Sequence, residues 1–492
     1  MIYSTTNILN FQPKGCHYLL NTDLAFSSIS DLKKLISTKE ISPVELVTVF
    51  VERIQKYNPK LNAFLAISSE KALLSAKKIE SAILKNHPVG PLGGIPISIK
   101  DLELTDGIKT TMGSVVFKDR VPSENSIVVE RLLRAGAIIL GKTNTPEFGF
   151  LGHTKNLLGD DCRNPWDIEL SSGGSSGGAA SAVAAGLCTI STGSDGGGST
   201  RIPASFCGVF GIKPTQGLVP SYSGTTSTPL VNLFSQAGPL ARSVDDAEIM
   251  LKIISGFDKR DPNSLTSTTK EYFSTESSPI KDLRFAWTTN FDNSPISNEV
   301  KIKIHESIKI FEDLGAIGEE IEVRVGNLFE DFWGMFSACA YARLRPILEK
   351  SPHLLTDYAR KYLQYGENFS GAQFAQALGK AKIMKNTFES IFTKKDFILT
   401  PTMAVTAFPA GKPPKIINGQ HVNEFWGAFP FTYPVNVAGL PAVSIPCGFS
   451  DKGLPIGLQI IGNYRSEPAL INISRAFERH GKYISRRPPD FE

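Results

Sequence analysis

After residue 42, apolar side chains recur every three or four positions. Leu46, Val47, Phe50, Val51 and Ile54 fall on one face of a helix. Ser42-Pro43-Val44-Glu45 supplies its start: Ser42 caps, Pro43 suits the first turn and Glu45 completes a capping box. Asn58-Pro59 is expected to end it. The period then changes. Ile95, Ile97 and Ile99 alternate with Pro96, Ser98 and Lys100, which predicts a strand with Lys100 on the face opposite the isoleucines. Val128 to Ala135 reads as a helix and Ala137 to Leu140 as a strand, and this alternation predicts an α/β layered fold. A further capped helix starts at Ser243, with Ala247, Met250, Leu251 and Ile254 on one side and Gly256 as its stop. Residues from about 257 to 282 are polar and loop-rich, and helical patterns prevail from about 300 to 395. Strand patterns return at Ala442 to Pro446 and Leu454 to Gly462, joined by the turn signal Asp451-Lys452-Gly453. No internal repeat is evident.

Between Leu170 and Gly217 the pattern gives way to Gly, Ser and Ala, with almost no large side chain before Phe206. A flexible linker is one reading of such composition. It is rejected because Ala179 to Leu187 is a helix-forming segment and Thr189 to Thr192 reads as a short strand.

Composition removes several function classes. The 492 residues are 41% hydrophobic and 20% charged, which is ordinary for a globular protein. Net charge is +4 with dispersed Lys and Arg, so no nucleic-acid surface is expected. Six scattered cysteines and seven scattered histidines form no zinc-binding pattern, so no metal and no cofactor is expected. Unpaired cysteines fit a reducing cytoplasm. Met1 to Lys14 lacks a signal-peptide pattern, and no run of about 18 apolar residues implies a membrane span.

Three segments carry candidate chemistry: Ile99-Lys100-Asp101, Gly173-Gly174-Ser175-Ser176-Gly177-Gly178, and Gly193 to Arg201. A serine hydroxyl becomes a nucleophile when a neighbouring base takes its proton. Backbone N–H groups of Gly196, Gly197, Gly198 and Ser199 lie beside Ser199, where they could hold a developing oxyanion. A lysine serves as base only when neutral, which requires lowering its pKa by roughly 2–3 units from about 10.4. Burial supplies shifts of that size, and Lys100 sits on an isoleucine-rich strand.

At these residues the chain resembles the amidase signature family of serine hydrolases. The family carries a lysine in a strand ending Lys-Asp, a Gly-Gly-Ser-Ser-Gly-Gly loop, then Asp-x-Gly-Gly-Ser-x-Arg. Here 75 positions separate Lys100 from Ser175 and 24 separate Ser175 from Ser199, the family's usual spacing. Thr110 to Ser114, Gly141 to Asn144, Arg163 to Trp166, Cys207 to Thr215, Asn436 to Pro441 and Gly453 to Gly462 match as well. The resemblance is strong from about 30 to 260, clear from 395 to 480 and weak between. It implies one α/β/α domain over 1–492, with a central mixed twisted β-sheet flanked by helices on both faces. Its parts would be a signature core at about 60–260, a helical substrate-specificity region at about 260–395, and C-terminal strands and a helix at about 395–485. It implies Ser199 as nucleophile, Ser175 as proton relay held by a cis peptide, Lys100 as base, and Gly196 to Ser199 as oxyanion hole. Asp195 and Arg201 would support the loop, and Ser176 either assists the relay or shapes the loop. Relatives are often homodimers.

The family holds free-standing amidases and the glutaminase component of the tRNA-dependent amidotransferase, which releases ammonia from glutamine for a partner. In that component an acidic residue, three positions before the Thr of a Thr-x-Pro-x-Asn segment, reads the glutamine amino group. Here the segment is Thr432 to Asn436 and the position holds Phe429, and no Tyr/Phe-Asp-Gly segment occurs in the middle region. A free-standing amidase for a small uncharged, apolar or aromatic amide is therefore expected. Phe332, Trp333, Trp426 and Phe429 are candidates for its pocket, with core packing as their alternative fate.

Other matches lead elsewhere. Gly173-x-Ser175-x-Gly177 fits a nucleophile elbow, with Ser175 as nucleophile and His305, His353, His421 or His480 as partner, but Asp167 to Ser172 makes a poor preceding strand. Gly136 to Thr143 fits a phosphate-loop pattern, but its middle residues read as a strand preceded by a helix. Ser30–Lys33 and Ser75–Lys78 read as solvated helix surface, His153 as a structural histidine and the cysteines as packed side chains. A non-catalytic binding relative is disfavoured because all three relay residues are present.

Overall fold

The computed structural model describes residues 21–491 except 223, 225–232, 267–268, 274–278, 327, 482 and 484–485. The polar start at Met1 to Lys14 and Cys16 lie outside the described residues.

The helix predicted after Ser42 runs Pro43–Leu61, with the Ser42/Glu45 capping box formed. Asn58-Pro59 does not end it. The chain continues to Leu61, and Asn62 closes the helix in the left-handed conformation with its N–H on Asn58 O at 2.7 Å. A proline in the last turn removes one donor, and burial of Leu61 keeps the final turn in place.

Eleven strands form one sheet. In chain order they are β1 (Phe64–Ile67), β2 (Pro96–Lys100), β3 (Ile138–Thr143), β4 (Ile190–Asp195), β5 (Phe210–Lys213), β6 (Gln236–Ala241), β7 (Arg284–Trp287), β8 (Ile317–Glu320), β9 (Phe397–Pro401), β10 (Ala442–Phe449) and β11 (Pro455–Gly462). Their spatial order is β1-β3-β2-β4-β6-β5-β10-β11-β9-β7-β8. β2 is parallel to β3 and β4, whereas the β4-β6-β5-β10-β11-β9 run is antiparallel throughout. Every residue of β2, β3, β9 and β11 is buried, so helices cover both faces at the sheet's centre. β7 and β8 fall inside the region read as helical. Each has only four residues, β8 at the sheet's edge and β7 between it and β9, both paired in parallel and too short for a period-2 pattern to stand out.

The glycine-rich stretch is buried structure. Gly177–Ala184 is a helix with every residue buried, and β4 follows it. Asp167–Ser171, a poor strand by its sequence, does form one. It pairs with Arg163–Asn164 in a two-stranded hairpin outside the main sheet, held further by Ser171 N–H on Phe408 O at 2.8 Å. Gly136 to Thr143 is turn and β3, with no helix following directly, so the phosphate-loop reading fails on geometry. Among the described residues no helix is long and apolar enough to cross a membrane.

Candidate active site

β2 delivers Lys100 at its end, fully buried between β3 and β4. Its backbone N–H donates to Thr192 Oγ1 of β4 at 2.9 Å, fixing the strand end beside the glycine loops. Lys100 Nζ donates to Ser175 Oγ at 2.8 Å, Ser176 Oγ at 2.7 Å and Ser194 Oγ at 2.9 Å, with Ser194 O at 3.3 Å. Burial drives its pKa from 10.5 down to about 7, against the opposing pull of Asp195 and Glu103. No carboxylate touches the amine, so desolvation wins.

Ser175 and Ser176 sit between the Asp167–Ser171 hairpin and the Gly177–Ala184 helix, and the Gly174–Ser175 peptide bond is cis. Gly149, at φ +78°, faces Ser175: a Cβ there would stand 3.3 Å from the Ser175 hydroxyl. Ser176 Oγ also joins the next loop, donating to Ser194 O at 3.3 Å and accepting from Ser194 N–H at 3.2 Å.

The loop after β4 turns around one carboxylate. Asp195 accepts from the N–H groups of Gly198 (2.7 Å), Thr200 (3.2 Å) and Arg201 (3.3 Å). The Arg201 guanidinium adds Nε at 2.9 Å and Nη2 at 3.0 Å, both partners fully buried. Burial alone would disfavour the carboxylate, but Arg201 outweighs it and holds Asp195 well below the usual carboxylate range. Gly198 was expected as an oxyanion donor, but its N–H is committed to Asp195. The N–H groups of Gly196, Gly197 and Ser199 have no acceptor among the described residues. Gly198 instead serves the turn: at φ +127° it leaves room for Thr432, whose Oγ1 would lie 2.4 Å from an added Cβ.

Ser199 and Ser175 line one cavity of about 60 Å³, together with Ser194, Gly196 and Gly197. That is several times the roughly 10–15 Å³ a single water needs. Among the described residues, no hydrogen bond joins the Ser199 and Ser175 hydroxyls. Phe332, Trp333 and Trp426 line the cavity. Phe429 does not. It packs one layer behind, against Phe206, Phe408 and Ile202, with its ring 5.7 Å from Trp426. Phe336, Phe148 and Phe150 complete the walls. Among the described residues, no histidine and no charged side chain lines the cavity, and none of His305, His353, His421 or His480 reaches Ser175.

Several site residues escaped the sequence. Ser194 could have been suspected, because it precedes Asp195 on the same strand end. Thr432 and Asn436 could be placed only through their segment: Thr432 Oγ1 donates to Gly197 O at 2.7 Å, and Asn436 Nδ2 to Asp195 O at 2.9 Å. Gln459, which accepts from Arg201 Nη1 at 2.6 Å, likewise lies in a matching segment, Gly453 to Gly462, that did not single it out. Among the described residues, no three His, Cys, Asp or Glu side chains gather as a metal site.

Comparison with known proteins identifies the family and the fold. The family model described as "Amidase" matches residues 45–471. An acylamidase of Rhodococcus erythropolis is 33% identical over 97% of this chain and 98% of its own length. The glutamyl-tRNA(Gln) amidotransferase A-type polypeptide of Thermoanaerobacter pseudethanolicus is 36% identical over 93% of this chain and 97% of its own. The crystal structure of a bacterial aryl acylamidase of the amidase signature family superposes with a TM-score of 0.86 at 28% identity, covering 94% of this chain and 98% of that one. A sheet of this order, with a buried lysine set against two serine-bearing glycine loops, and a family match across most of the length agree: the chain belongs to the amidase signature family and is a hydrolase of amide carbon–nitrogen bonds.

Proposed function

We propose that the chain is a free-standing amidase that cleaves a small amide, uncharged around the scissile bond, through an acyl-enzyme on Ser199. The observation that carries this is the fully buried Lys100 amine, 2.8 Å from a hydroxyl that shares a cavity with Ser199. In the neutral amine the contact reverses: the Lys100 lone pair accepts the Ser175 proton while Ser175 accepts that of Ser199. Ser176 and Ser194 hold the remaining amine hydrogens and aim the lone pair. The Ser199 hydroxyl must rotate to close the chain, and catalytic hydrogen bonds often tighten only when substrate is bound. Attack on the carbonyl would place the oxyanion against the free N–H groups of Gly196, Gly197 and Ser199. Collapse expels the amine, which takes the relayed proton. Water, deprotonated by the same relay, then releases the carboxylate.

A cavity walled by aromatic rings, with no charged side chain among the described residues, favours an apolar or aromatic acyl or amine group. It also disfavours glutamine, whose ammonium and carboxylate would find no partner there. The amidotransferase reading keeps its place through the 36% identity to the Thermoanaerobacter protein. Hydrolysis assays on the purified single chain decide between them. Turnover of benzamide or acetanilide that vanishes in Ser199→Ala supports the proposal. Glutaminase activity seen only with a second, different polypeptide overturns it.

A further inference from the structure

A cavity of about 620 Å³ lies beside the catalytic one, within the roughly 300–1,000 Å³ typical of small-molecule sites. Leu151 lines both cavities and is their shared wall. A second contact joins them, because the Phe425 ring of the outer cavity packs edge-on to Trp333 of the inner one at 6.0 Å. The chain that carries Leu151 also carries His153 and Lys155 into the outer cavity. At His153 its backbone presses on Gly174, where an added Cβ would lie 2.7 Å from His153 N. The backbone of His153, a lining residue of the outer cavity, thus abuts the residue before Ser175. Its opposite side comes from the helix Asp357–Glu367, through Tyr358, Arg360 and Lys361.

The charges in this lining do not cancel. Arg360 pairs with Asp357 inside it, and Glu424 is engaged by Lys415 from outside at 2.7 Å. Lys155 and Lys361 form no salt bridge among the described residues. Asp161 feels Lys155 only at longer range and does not line the cavity. Two exposed lysines thus line a space large enough for a substituted aromatic ring, next to an inner cavity with no charged side chain among the described residues.

We propose that this outer cavity is a substrate subsite for the anionic far end of an extended amide, with its carboxylate held by Lys155 and Lys361. The inference rests on the Ser199 reading for the position of the scissile bond. The uncharged end of the substrate enters the aromatic cavity, and displacement of Leu151 and the 42%-exposed Phe425 joins the two spaces. The subsite explains how an uncharged catalytic cavity can select a charged molecule: recognition and bond cleavage occupy separate chambers.

The test is calorimetric binding to the full chain carrying Ser199→Ala, which prevents turnover. The probes are 4-acetamidobenzoate, extended on the amine side, and 4-carbamoylbenzoate, extended on the acyl side, each against its neutral methyl ester. At low salt at least one carboxylate is expected to bind about tenfold more tightly than its ester. Adding Lys155→Ala and Lys361→Ala should reduce that ratio below about twofold while ester affinity stays unchanged. Carboxylate and ester of equal affinity, no measurable binding of either carboxylate, or a preference that survives loss of both lysines would overturn the subsite. Turnover of acetanilide and benzamide by the unsubstituted chain reports on Ser199 separately. Lysine-dependent binding without any turnover would sink the hydrolytic role of Ser199 and leave the subsite standing.

Discussion

The proposed chemistry turns on a single amine. Lys100 is buried with hydroxyls and a carbonyl around it and no carboxylate in contact, so burial brings its pKa to about 7. Activity is therefore expected to rise with pH as that amine loses its proton, with half the maximal kcat/KM near pH 7. A pH–rate profile flat from 6 to 9 would contradict Lys100 as base. Ser199→Ala should lower kcat by about 10³-fold or more without altering the unfolding transition. Ser175→Ala should cost about 10²–10⁴-fold, the usual size of a lost proton-transfer group. Burial of the amine also marks stability. In the unfolded chain it holds its proton up to about pH 10.4, but in the fold only to about 7, so between these values the unfolded state binds more protons. Stability must then rise with pH. Lys213 and Lys142, lowered by burial to about 7 and about 8, act in the same direction. Denaturant midpoints should increase from pH 7 to 9, and Lys100→Met should flatten part of that slope.

At the scale of elements, the two glycine loops and β2 were legible because their chemistry demands particular residues at particular places. Lys100 ends β2, and Asp195 turns its carboxylate inward onto the N–H groups of the glycine-rich turn that follows β4. The aromatic walls were only half legible. Phe332, Trp333 and Phe336 come from the helix Leu328–Lys350, where they obey the same helical period as core residues, and only the packing of that helix over Gly196 and Gly197 assigns them. Phe148 and Phe150 lie in and just after the single 3-10 turn Glu147–Gly149, with Phe148 at φ 54°, and no periodicity reports such a place. Phe429 was legible as apolar but not as second layer, since one turn of chain separates lining from backing. Phe336 packs in parallel on Phe332 at 5.7 Å, and a Cβ on Gly196 would touch it at 3.0 Å. Phe336→Ala should enlarge the cavity, and competition between para-substituted and unsubstituted benzamides should shift toward the bulkier substrate by about tenfold. An unchanged ratio would remove Phe336 from the specificity wall.

Across the whole molecule, Arg201 joins parts of the chain that sequence cannot bring together. Its guanidinium bonds Asp195, Asn436 Oδ1, Thr432 O at 3.1 Å and Gln459 Oε1 at 2.6 Å. Removing one partner of a buried pair leaves an uncompensated charge and costs about 3–5 kcal/mol. Arg201→Met should lower the urea midpoint accordingly, whereas Ser199→Ala should not. β10 and β11 complete the same junction, lying between β5, which ends at Lys213, and β9, which begins at Phe397. Ser199 is thus specified early in the chain and its loop is held from the far end. A polypeptide still being translated, with only its first 400 residues outside the ribosome, has the serine, the lysine and the glycines but lacks Thr432, Asn436 and Gln459 to brace them. The proposed hydrolysis is therefore expected to wait until the final strands have slotted into the middle of the sheet, and a chain ending at residue 400 should turn over no acetanilide.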